Sequence, residues 1–381
     1  MAACPNSIDP AVSRVRIMSG LFLWLLSAGC GEVSQPSPST PSDGLVFVRA
    51  TDAGDTDIFW ARIADGAVRR LAETPNLLDS NPKWVPSVLR VVYEVRPTDA
   101  PTSSLRLAMR DPLGAEPATV SEKSFLKESD VSVSMDGKRL AYVFQAPPGG
   151  QPPLGVRVAS PMTGLDAVMG TVPKATAYIS PRLSPDVDSV AVQTQGKNRG
   201  DDLWLLLLKN EHEPLVAERR WHDTAPRFER AGGSVFFSRS AFQRVPKGRG
   251  RKARPRAEPL GGGDICRVHL ATKQVACVIQ SADAREYGVE LSPTREEMVF
   301  VRERDGASAL FVAGLQGDDE RQLRDSPEPI QRGPVWSPDG DRLAYVAGQS
   351  PQQRILVIDR QGAVLFETPG DQPAWAPPFQ D

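Results

Sequence analysis

A thirteen-residue unit recurs six times along the chain, and this repeat restricts the fold more than any other feature of the sequence. The copies are PKWVPSVLRVVYE, VSVSMDGKRLAYV, PRLSPDVDSVAVQ, PRFERAGGSVFFS, VELSPTREEMVFV and PVWSPDGDRLAYV. They align without a gap on one apolar residue, called the anchor here, which is in turn Trp84, Val133, Leu183, Phe228, Leu291 and Trp336. The positions seven and nine residues after the anchor are apolar in every copy. Recurrence of this kind indicates a repeat architecture, in which each unit buries its apolar face against its neighbours.

Each copy has the pattern of a β-hairpin. The anchor ends one strand, and the segment of Ser-Pro-Asp-Gly type after it has the chemistry of a tight turn. Positions seven and nine share one face of the next strand because side chains alternate along a strand. Further strand-like runs follow, such as RILVIDR and AVLFETP after the last copy, and the anchors lie 49, 50, 45, 63 and 45 residues apart. Four antiparallel strands in a repeat of ~40–50 residues are typical of a β-propeller blade.

The two ends of the chain complete the count of repeats. Trp375 is a seventh anchor, but no strand follows it, whereas Leu45 and Phe47 at the other end match positions seven and nine. We therefore predict one all-β domain over residues 44–381, a single β-propeller of four-stranded blades. The count favours seven blades closed by pairing of the N- and C-terminal strands, which removes free sheet edges. Six blades stay an alternative if one weak copy is miscounted.

The segment Pro334–Tyr345 resembles the TolB-like, WD-repeat-like β-propeller family. The resemblance covers residues 44–378 and is weakest after Phe228, where Glu-Arg-Ala-Gly replaces the Ser-Pro-Asp-Gly turn. It implies a periplasmic or surface propeller that binds proteins or glycans. It does not imply one activity, because one fold serves many functions.

The N-terminus has the pattern of an export signal. An apolar run at residues 17–29 follows two arginines and is shorter than the ~20 residues that a membrane-spanning helix needs. Its end, Leu-Ser-Ala-Gly before Cys30, resembles a bacterial lipobox, which implies removal of residues 1–29 and lipidation of Cys30. A plain cleaved signal is the alternative. Residues 30–43 are rich in Ser and Pro, as in a flexible tether, and Gly31 favours, by resemblance, an outer-membrane anchor facing the periplasm or the surface.

Cys266 and Cys277 flank RVHLATKQVA, which reads as strand, turn and strand. Residues opposite each other in a hairpin lie within reach of a disulfide, and an exported protein meets an oxidising compartment. We expect a disulfide, with free thiols as the alternative. Zinc would need more ligands, and only His269 is nearby.

An insertion near residues 242–263 is strongly basic, with Gly and Pro between its charges. Its basic residues are Lys247, Arg249, Arg251, Lys252, Arg254 and Arg256. The pattern is typical of a loop that meets an anionic partner, such as lipopolysaccharide, peptidoglycan or an acidic protein surface, and more commonly of a solvated loop. No aromatic residues are interleaved for base stacking and the formal net charge is −2, so no nucleic-acid partner is expected.

The remaining candidate residues favour structural roles. Asp57, Asp202 and Asp264 begin equivalent third strands, where turn capping is commoner than a shared calcium site. The tryptophan anchors at 84, 336 and 375 suit a core between blades better than carbohydrate stacking. Only three histidines are present, and the Gly-x-Ser-x-Gly, P-loop and H-E-x-x-H motifs are absent from the sequence.

These features predict a non-enzymatic, lipid-anchored, monomeric envelope protein without a cofactor. Its propeller would bind an envelope protein or a cell-wall component. The alternatives are a propeller enzyme, either a glycan lyase or a lactonase-type hydrolase with a metal in the central channel, and an accessory lipoprotein of a secretion or polysaccharide-export system. An enzyme should direct carboxylates or histidines into the channel, whereas a binding module should show no convergent titratable groups there.

Overall fold

The computed structural model describes residues 43–377, apart from 101–104, 113–117, 121–124, 165, 197–200, 209–210, 219–220, 248–253 and 260–262. Within this part of the chain the regular elements are 29 β-strands, and no α-helix is present. None of these residues belongs to a helix with the length and apolar character needed to cross a membrane. The fold is therefore all-β, as the sequence predicts.

One sheet contains strands from both ends of the domain. Its strands are β1 (Gly44–Ala50), β2 (Thr56–Arg62), β3 (Val68–Arg70), β4 (Leu77–Val85), β5 (Arg90–Pro97), β6 (Arg106–Arg110), β7 (Ala118–Thr119) and β29 (Asp371–Ala376). Strands β29, β1, β2 and β3 are antiparallel neighbours, and so are β4 to β7. A single parallel pair, Thr56 with Leu78, joins these two groups of four.

The other five sheets are antiparallel, with their main strands in chain order. The first two consist of β8 (Lys127–Val133), β9 (Leu140–Gln145), β10 (Leu154–Ala159) and β11 (Asp166–Val168), and of β12 (Ala175–Leu183), β13 (Ser189–Gly196), β14 (Asp202–Leu207) and β15 (Glu211–Val216). The third consists of β16 (Trp221–Phe228), β17 (Ser234–Lys247), β19 (Asp264–His269) and β20 (Val275–Ile279), with β18 (Arg254–Pro259) paired to β17. The last two consist of β21 (Arg285–Leu291), β22 (Glu297–Arg304), β23 (Ala307–Gly314) and β24 (Arg321–Ser326), and of β25 (Ile330–Trp336), β26 (Arg342–Ala347), β27 (Arg354–Asp359) and β28 (Val364–Pro369). This arrangement is a β-propeller of four-stranded blades.

The strands that end at the anchors, called the anchor strands, are β4, β8, β12, β16, β21, β25 and β29. Five of them end at the anchor, and β4 and β29 run one residue further. In all seven copies the anchor pairs with the apolar residue at position seven, as in Trp336 with Leu343. The anchor Trp375 pairs with Leu45 of β1, so the last strand supplies the hairpin partner that the first strand lacks.

The core lies between adjacent sheets. The side chains at positions seven and nine are at most 1% exposed in every copy, and Tyr93, Tyr142 and Tyr345 are the largest of them. One cluster combines Val299 and Leu310 of one sheet with Leu343 and Tyr345 of the next. Burial of each large apolar side chain stabilises the fold by roughly 1.5–3 kcal/mol, so the repeated positions hold neighbouring sheets together.

A bulge interrupts the anchor strands at one repeated position. The residue three places before the anchor has a left-handed backbone in six copies, with φ between 50° and 66°: Asn81, Asp130, Ser180, Ala225, Gly288 and Gln372. The register of pairing shifts at the same place. A bulge bends its strand and redirects the following side chains. In these six copies the bulge lies two residues before the residue that precedes the anchor.

The turn after the anchor is closed by side chains. In one copy the Ser134 hydroxyl lies 2.6 Å from Oδ1 of Asp136 and accepts a hydrogen bond from the Arg139 N–H at 3.0 Å. The same serine, aspartate and amide contacts recur after Leu183 and Trp336. The serine and aspartate of the repeated segment therefore fix the turn and, through it, the register of the hairpin.

Val187 occupies the left-handed position of its turn, with φ of 64°, where Gly137 and Gly340 stand in other copies. A β-branched residue there is strained. We expect Val187→Gly to raise the free energy of unfolding by about 0.5–1 kcal/mol, net of the lost contact of the half-buried valine. Urea unfolding at neutral pH measures the change.

Gly232 provides the matched control for Val187. Its φ is 75°, and an added Cβ would meet no atom closer than 3.8 Å, so Gly232→Ala introduces backbone strain without a clash. It should lower the free energy of unfolding by about 1 kcal/mol. A Val187→Gly variant less stable than the wild type would show that the turn does not strain the valine.

Candidate functional site

All seven anchor strands line one pocket of about 430 Å³, called the central pocket here. The anchors form part of its wall, and five of them are only half-buried, whereas Trp336 and Trp375 are each 8% exposed. The residues that directly precede the anchors also line it: Lys83, Ser132, Arg182, Arg227, Glu290, Val335 and Ala374. Equivalent positions of the repeat thus converge on one space.

Three of the residues before the anchors are cations, and the structure holds each of them in the same way. Nη1 of Arg182 donates to the carbonyl of the preceding proline at 3.1 Å, and Nη1 of Arg227 does so at 2.9 Å. Nζ of Lys83 lies 3.2 Å from the carbonyl of Pro82 and donates to Oδ1 of Asn81 at 2.8 Å. The tripeptide of proline, basic residue and anchor therefore aims a positive charge into the central pocket.

Only one of these cations has an ion pair. Nε of Arg227 donates to Oε2 of Glu290 across two sheets. Among the residues that the structure describes, no carboxylate oxygen lies within 4.0 Å of Lys83 or Arg182. Burial, together with the charge of Arg182, lowers the pKa of Lys83 to about 8. Burial and the charge of Arg227 lower the pKa of Arg182 to about 9.

Side chains that do not line the central pocket join neighbouring copies through hydrogen bonds to the bulges. Oε1 of Glu94 accepts hydrogen bonds from the backbone N–H of Asp130 at 2.7 Å and from Nδ2 of Asn81 at 2.8 Å. Burial raises the pKa of Glu94 and also that of Asp130. Oε1 of Gln193, at the position equivalent to Glu94, accepts from the N–H of Ala225 at 3.3 Å. The side chain ten residues after one anchor thus accepts a hydrogen bond from the backbone N–H of the bulge in the next anchor strand.

The indole N–H groups of two anchors also join neighbouring copies. Nε1 of Trp336 donates to the carbonyl of Glu290 at 3.3 Å, and Nε1 of Trp375 donates to the carbonyl of Val335 at 3.0 Å. In both cases the acceptor directly precedes the previous anchor. These tryptophans therefore sit between adjacent sheets and also form part of the pocket wall.

The three histidines lie away from the central pocket. His212 is on β15, His222 accepts a hydrogen bond from the Asp201 N–H at 3.3 Å, and His269 is exposed at the end of β19. Asp57 is fully buried and accepts bonds from Nε of Arg70 at 2.6 Å and from the N–H of Thr74 at 3.3 Å. Asp57 thus caps a turn, while Asp202 and Asp264 begin strands of two other sheets.

Cys266 and Cys277 are opposite each other in the pairing of β19 with β20 and form a disulfide, as the sequence predicts. An oxygen of Asp264 lies within 4.8 Å of both sulfur atoms. Sulfur atoms joined in a disulfide are not thiolates and do not ligate zinc. The disulfide therefore closes the hairpin of an outer strand, away from the residues that line the central pocket.

The basic insertion is not wholly a loop, in contrast to the prediction. β17 continues to Lys247 and pairs with β18, with Lys247 opposite Arg254 and Val245 opposite Arg256. Pairing gives the backbone N–H and C=O groups of the two arms hydrogen-bond partners within the protein. In a loop these groups would bond to water instead. Arg249, Arg251 and Lys252 lie outside the described residues, as do Cys30 and the whole of residues 1–42.

The cationic positions of the central pocket were missed in the sequence, although a signal was present. The aligned copies begin with Pro-Lys-Trp, Pro-Arg-Leu and Pro-Arg-Phe, so a basic residue precedes the anchor three times. Because side chains alternate along a strand, that residue lies on the face opposite to the anchor. The central pocket also departs from both expected patterns, because convergent titratable groups are present and most of them are cations.

The fold and the central pocket define a β-propeller with a cationic central site. No protein-family model matches the chain. The chain is 43% identical over 72 residues to the Tol-Pal system protein TolB of Thioalkalivibrio sulfidiphilus, covering 18% of this chain and 16% of that protein. It is 34% identical over 110 residues to TolB of Methylobacillus flagellatus, covering 28% and 24%. The chain therefore matches less than a quarter of the length of these curated relatives.

Several solved structures share the fold over most of this chain. TolB from Acinetobacter baumannii has a TM-score of 0.52 at 14% identity, covering 88% of this chain and 83% of that one. A puromycin hydrolase has a TM-score of 0.62 at 16% identity, covering 84% and 51%. An oligogalacturonate lyase in complex with manganese has a TM-score of 0.57 at 12% identity, covering 82% and 85%. Identities this low show the fold alone. Together with the short curated matches, they show a β-propeller that is similar to TolB over part of its length.

The lowered pKa of Lys83 makes stability depend on pH. Below pH 8 both the folded and the unfolded state carry the charge, and burial of that charge costs stability. Between pH 8 and 10.5 the folded state has released the proton and the unfolded state has not, so stability rises with pH. Lys83→Met should therefore be more stable relative to the wild type at pH 7 than at pH 10, as measured by urea unfolding.

The exposed Lys138 provides the control for this titration. The difference between Lys138→Met and the wild type is measured at the same two pH values and subtracted as the general effect of removing a lysine. If the Lys83→Met difference were then the same at pH 7 and pH 10, Lys83 would not titrate in the folded protein below its ordinary range.

Proposed function

We propose that this chain is a non-enzymatic binding module of a bacterial cell envelope, in which the propeller binds a protein partner or a cell-wall component. The observation that carries the proposal is the central pocket. Seven strands converge on it, and it presents cations that the described part of the chain leaves without ion pairs. Curated relatives named as proteins of the Tol-Pal system support a role in an assembly of envelope proteins.

The alternative of a propeller enzyme receives less support from the central pocket. A metal-dependent lyase or hydrolase would need carboxylates or histidines that converge on a cation. The residues that line the central pocket include Lys83, Arg182 and Arg227, and their charges would repel a divalent cation. Glu94 is engaged by two hydrogen bonds to neighbouring residues.

The proposal includes a closed ring of seven blades. Seven anchor strands occur, and each has its own group of antiparallel strands. The pairing of β29 with β1 joins the two ends of the domain in one group. Closure of the ring leaves no free sheet edge between the first and the last blade, which protects against aggregation.

The proposal also includes export and a lipid anchor. Residues 1–29 would be removed as a lipoprotein-type signal, Cys30 would carry the lipid, and residues 30–43 would tether the propeller. This part is supported by the sequence, through the apolar run and the residues before Cys30. The expected location is the outer membrane, with the propeller facing the periplasm or the surface as a monomer.

The binding role predicts a specific partner in the native envelope. The mature protein, tagged and mildly crosslinked, should recover one envelope protein or cell-wall component that the tag alone and an unrelated tagged propeller do not recover. The purified pair should then bind with one-to-one stoichiometry by calorimetry. Recovery of no partner, together with one equivalent of bound metal by elemental analysis, would favour the propeller enzyme.

The lipid anchor predicts that Cys30→Ser releases the protein from the membrane. The wild type should sediment with the membrane fraction and partition into detergent, whereas the variant should stay in the soluble fraction of the envelope. Ser27→Ala is the matched control, since it leaves the cysteine in place and should remain bound. A Cys30→Ser protein that still sediments with the membrane would disprove the anchor.

A further inference from the structure

The cations of the central pocket are not required by the fold. The position before the anchor is Val335 in one copy and Ala374 in another, and in both copies the anchor keeps its pairing with the apolar residue of the next strand. Lys83, Arg182 and Arg227 occupy the equivalent position in three other copies. Since an apolar side chain suffices there, the charges point to a ligand rather than to folding.

The positive charge at this level of the pocket exceeds the negative charge. Of the seven residues before the anchors, three are cations and Glu290 is the only carboxylate, and it already pairs with Arg227. Arg230 adds a further exposed cation at the rim. Buried or half-buried charges without an ion pair cost stability. A bound anion would therefore lower the free energy of Lys83 and Arg182 more than that of the paired Arg227.

We propose that the central pocket binds a carboxylate side chain of an acidic peptide segment, held by Arg182 and Lys83. The proposal names what the partner presents, and it therefore rests on the proposed function. A carboxylate accepts two parallel hydrogen bonds from a guanidinium, and an ammonium adds a third charged donor. Arg182 uses one donor for Pro181, which leaves the rest of its guanidinium for the ligand.

The pocket wall selects a peptide over other anions. Apolar anchors, two of them buried tryptophans, line the pocket together with the cations, so an occupant with apolar groups beside its charge would contact both. A peptide with a glutamate or aspartate between apolar residues does so, whereas a phosphate has no apolar group and a uronic acid offers only the C–H faces of its ring between hydroxyls. The volume of about 430 Å³ lies within the range of ligand pockets.

The test measures the binding of two labelled peptides to the mature protein. Both alternate leucine and glycine around a central residue, have blocked ends, and differ only in glutamate or glutamine at the centre. The glutamate peptide should bind, and Lys83→Gln and Arg182→Gln should each weaken its binding by about tenfold or more in fluorescence anisotropy. Arg304→Gln is the control. Arg304 lies at the C-terminal end of β22, pairs with the exposed Asp283 and does not line the central pocket, so this variant should bind like the wild type.

Lys83 provides a second measurement that does not depend on a stable variant. Its surroundings include Arg182, Arg227, Arg332, Glu94 and Asp130, so a bound carboxylate adds one negative charge to a mainly cationic set. Binding of the glutamate peptide at pH 8.5 should therefore take up protons, seen by calorimetry in buffers of different ionisation enthalpy. The peptide should also protect Lys83 of the wild type from an amine-acylating reagent, as measured by mass spectrometry.

Several outcomes would overturn the carboxylate site. These are equal binding of the glutamate and glutamine peptides, unchanged binding in Arg182→Gln and Lys83→Gln, or no protection of Lys83. Displacement of the peptide by inorganic phosphate or by a uronic-acid oligomer at equal concentration would also overturn the choice of a peptide. A native partner that binds both charge variants like the wild type would overturn this inference but leave the proposed function standing. Binding of the peptide without any native partner would support the carboxylate site but contradict the proposed function.

Discussion

The structure depends on the pairing of each anchor with the apolar residue seven positions later. Since side chains alternate along a strand, a slip of one residue would turn positions seven and nine out of the core in that copy. The serine and aspartate of the turn prevent the slip by closing the loop at a fixed length, as Ser134 and Asp136 do. Trp375 pairs with Leu45 in the same register, although the two residues come from opposite ends of the domain. The anchor pairing is therefore the same in every copy.

The same register creates the central pocket. The anchor and the residue before it both line the pocket, while the residue paired with the anchor is buried in the core. The anchor strands therefore contribute to the core and to the pocket at once. The core requires an apolar residue at positions seven and nine of every copy, while the residue before the anchor differs between copies, from Arg182 to Val335 to Ala374. The repeated apolar positions thus determine the fold, while the residues before the anchors determine the charge of the central pocket.

The sequence predicts what depends on local periodicity and fails where distant parts of the chain meet. The hairpins, the anchor pairings and the opposed positions of Cys266 and Cys277 follow from alternation and turn chemistry, and the structure agrees. The hydrogen bond from Asp130 to Glu94 could not be predicted, because it joins two sheets through a bulge that has no residue signature. The paired arms of the basic insertion were missed for a different reason, since proline and charge favour a loop by composition.

Hydrogen bonds between neighbouring sheets connect the strands that line the central pocket. The bulge of β8 is satisfied by Glu94 of the preceding copy, and the Trp336 indole N–H bonds the carbonyl of Glu290. A ligand held by Lys83 and Arg182 would contact two anchor strands that are not neighbours in the chain, β4 and β12. Such a ligand would stabilise the arrangement of sheets that it binds, by an amount that grows with the logarithm of its concentration above Kd. Binding in the central pocket and the stability of the propeller are therefore coupled by the geometry of the repeat.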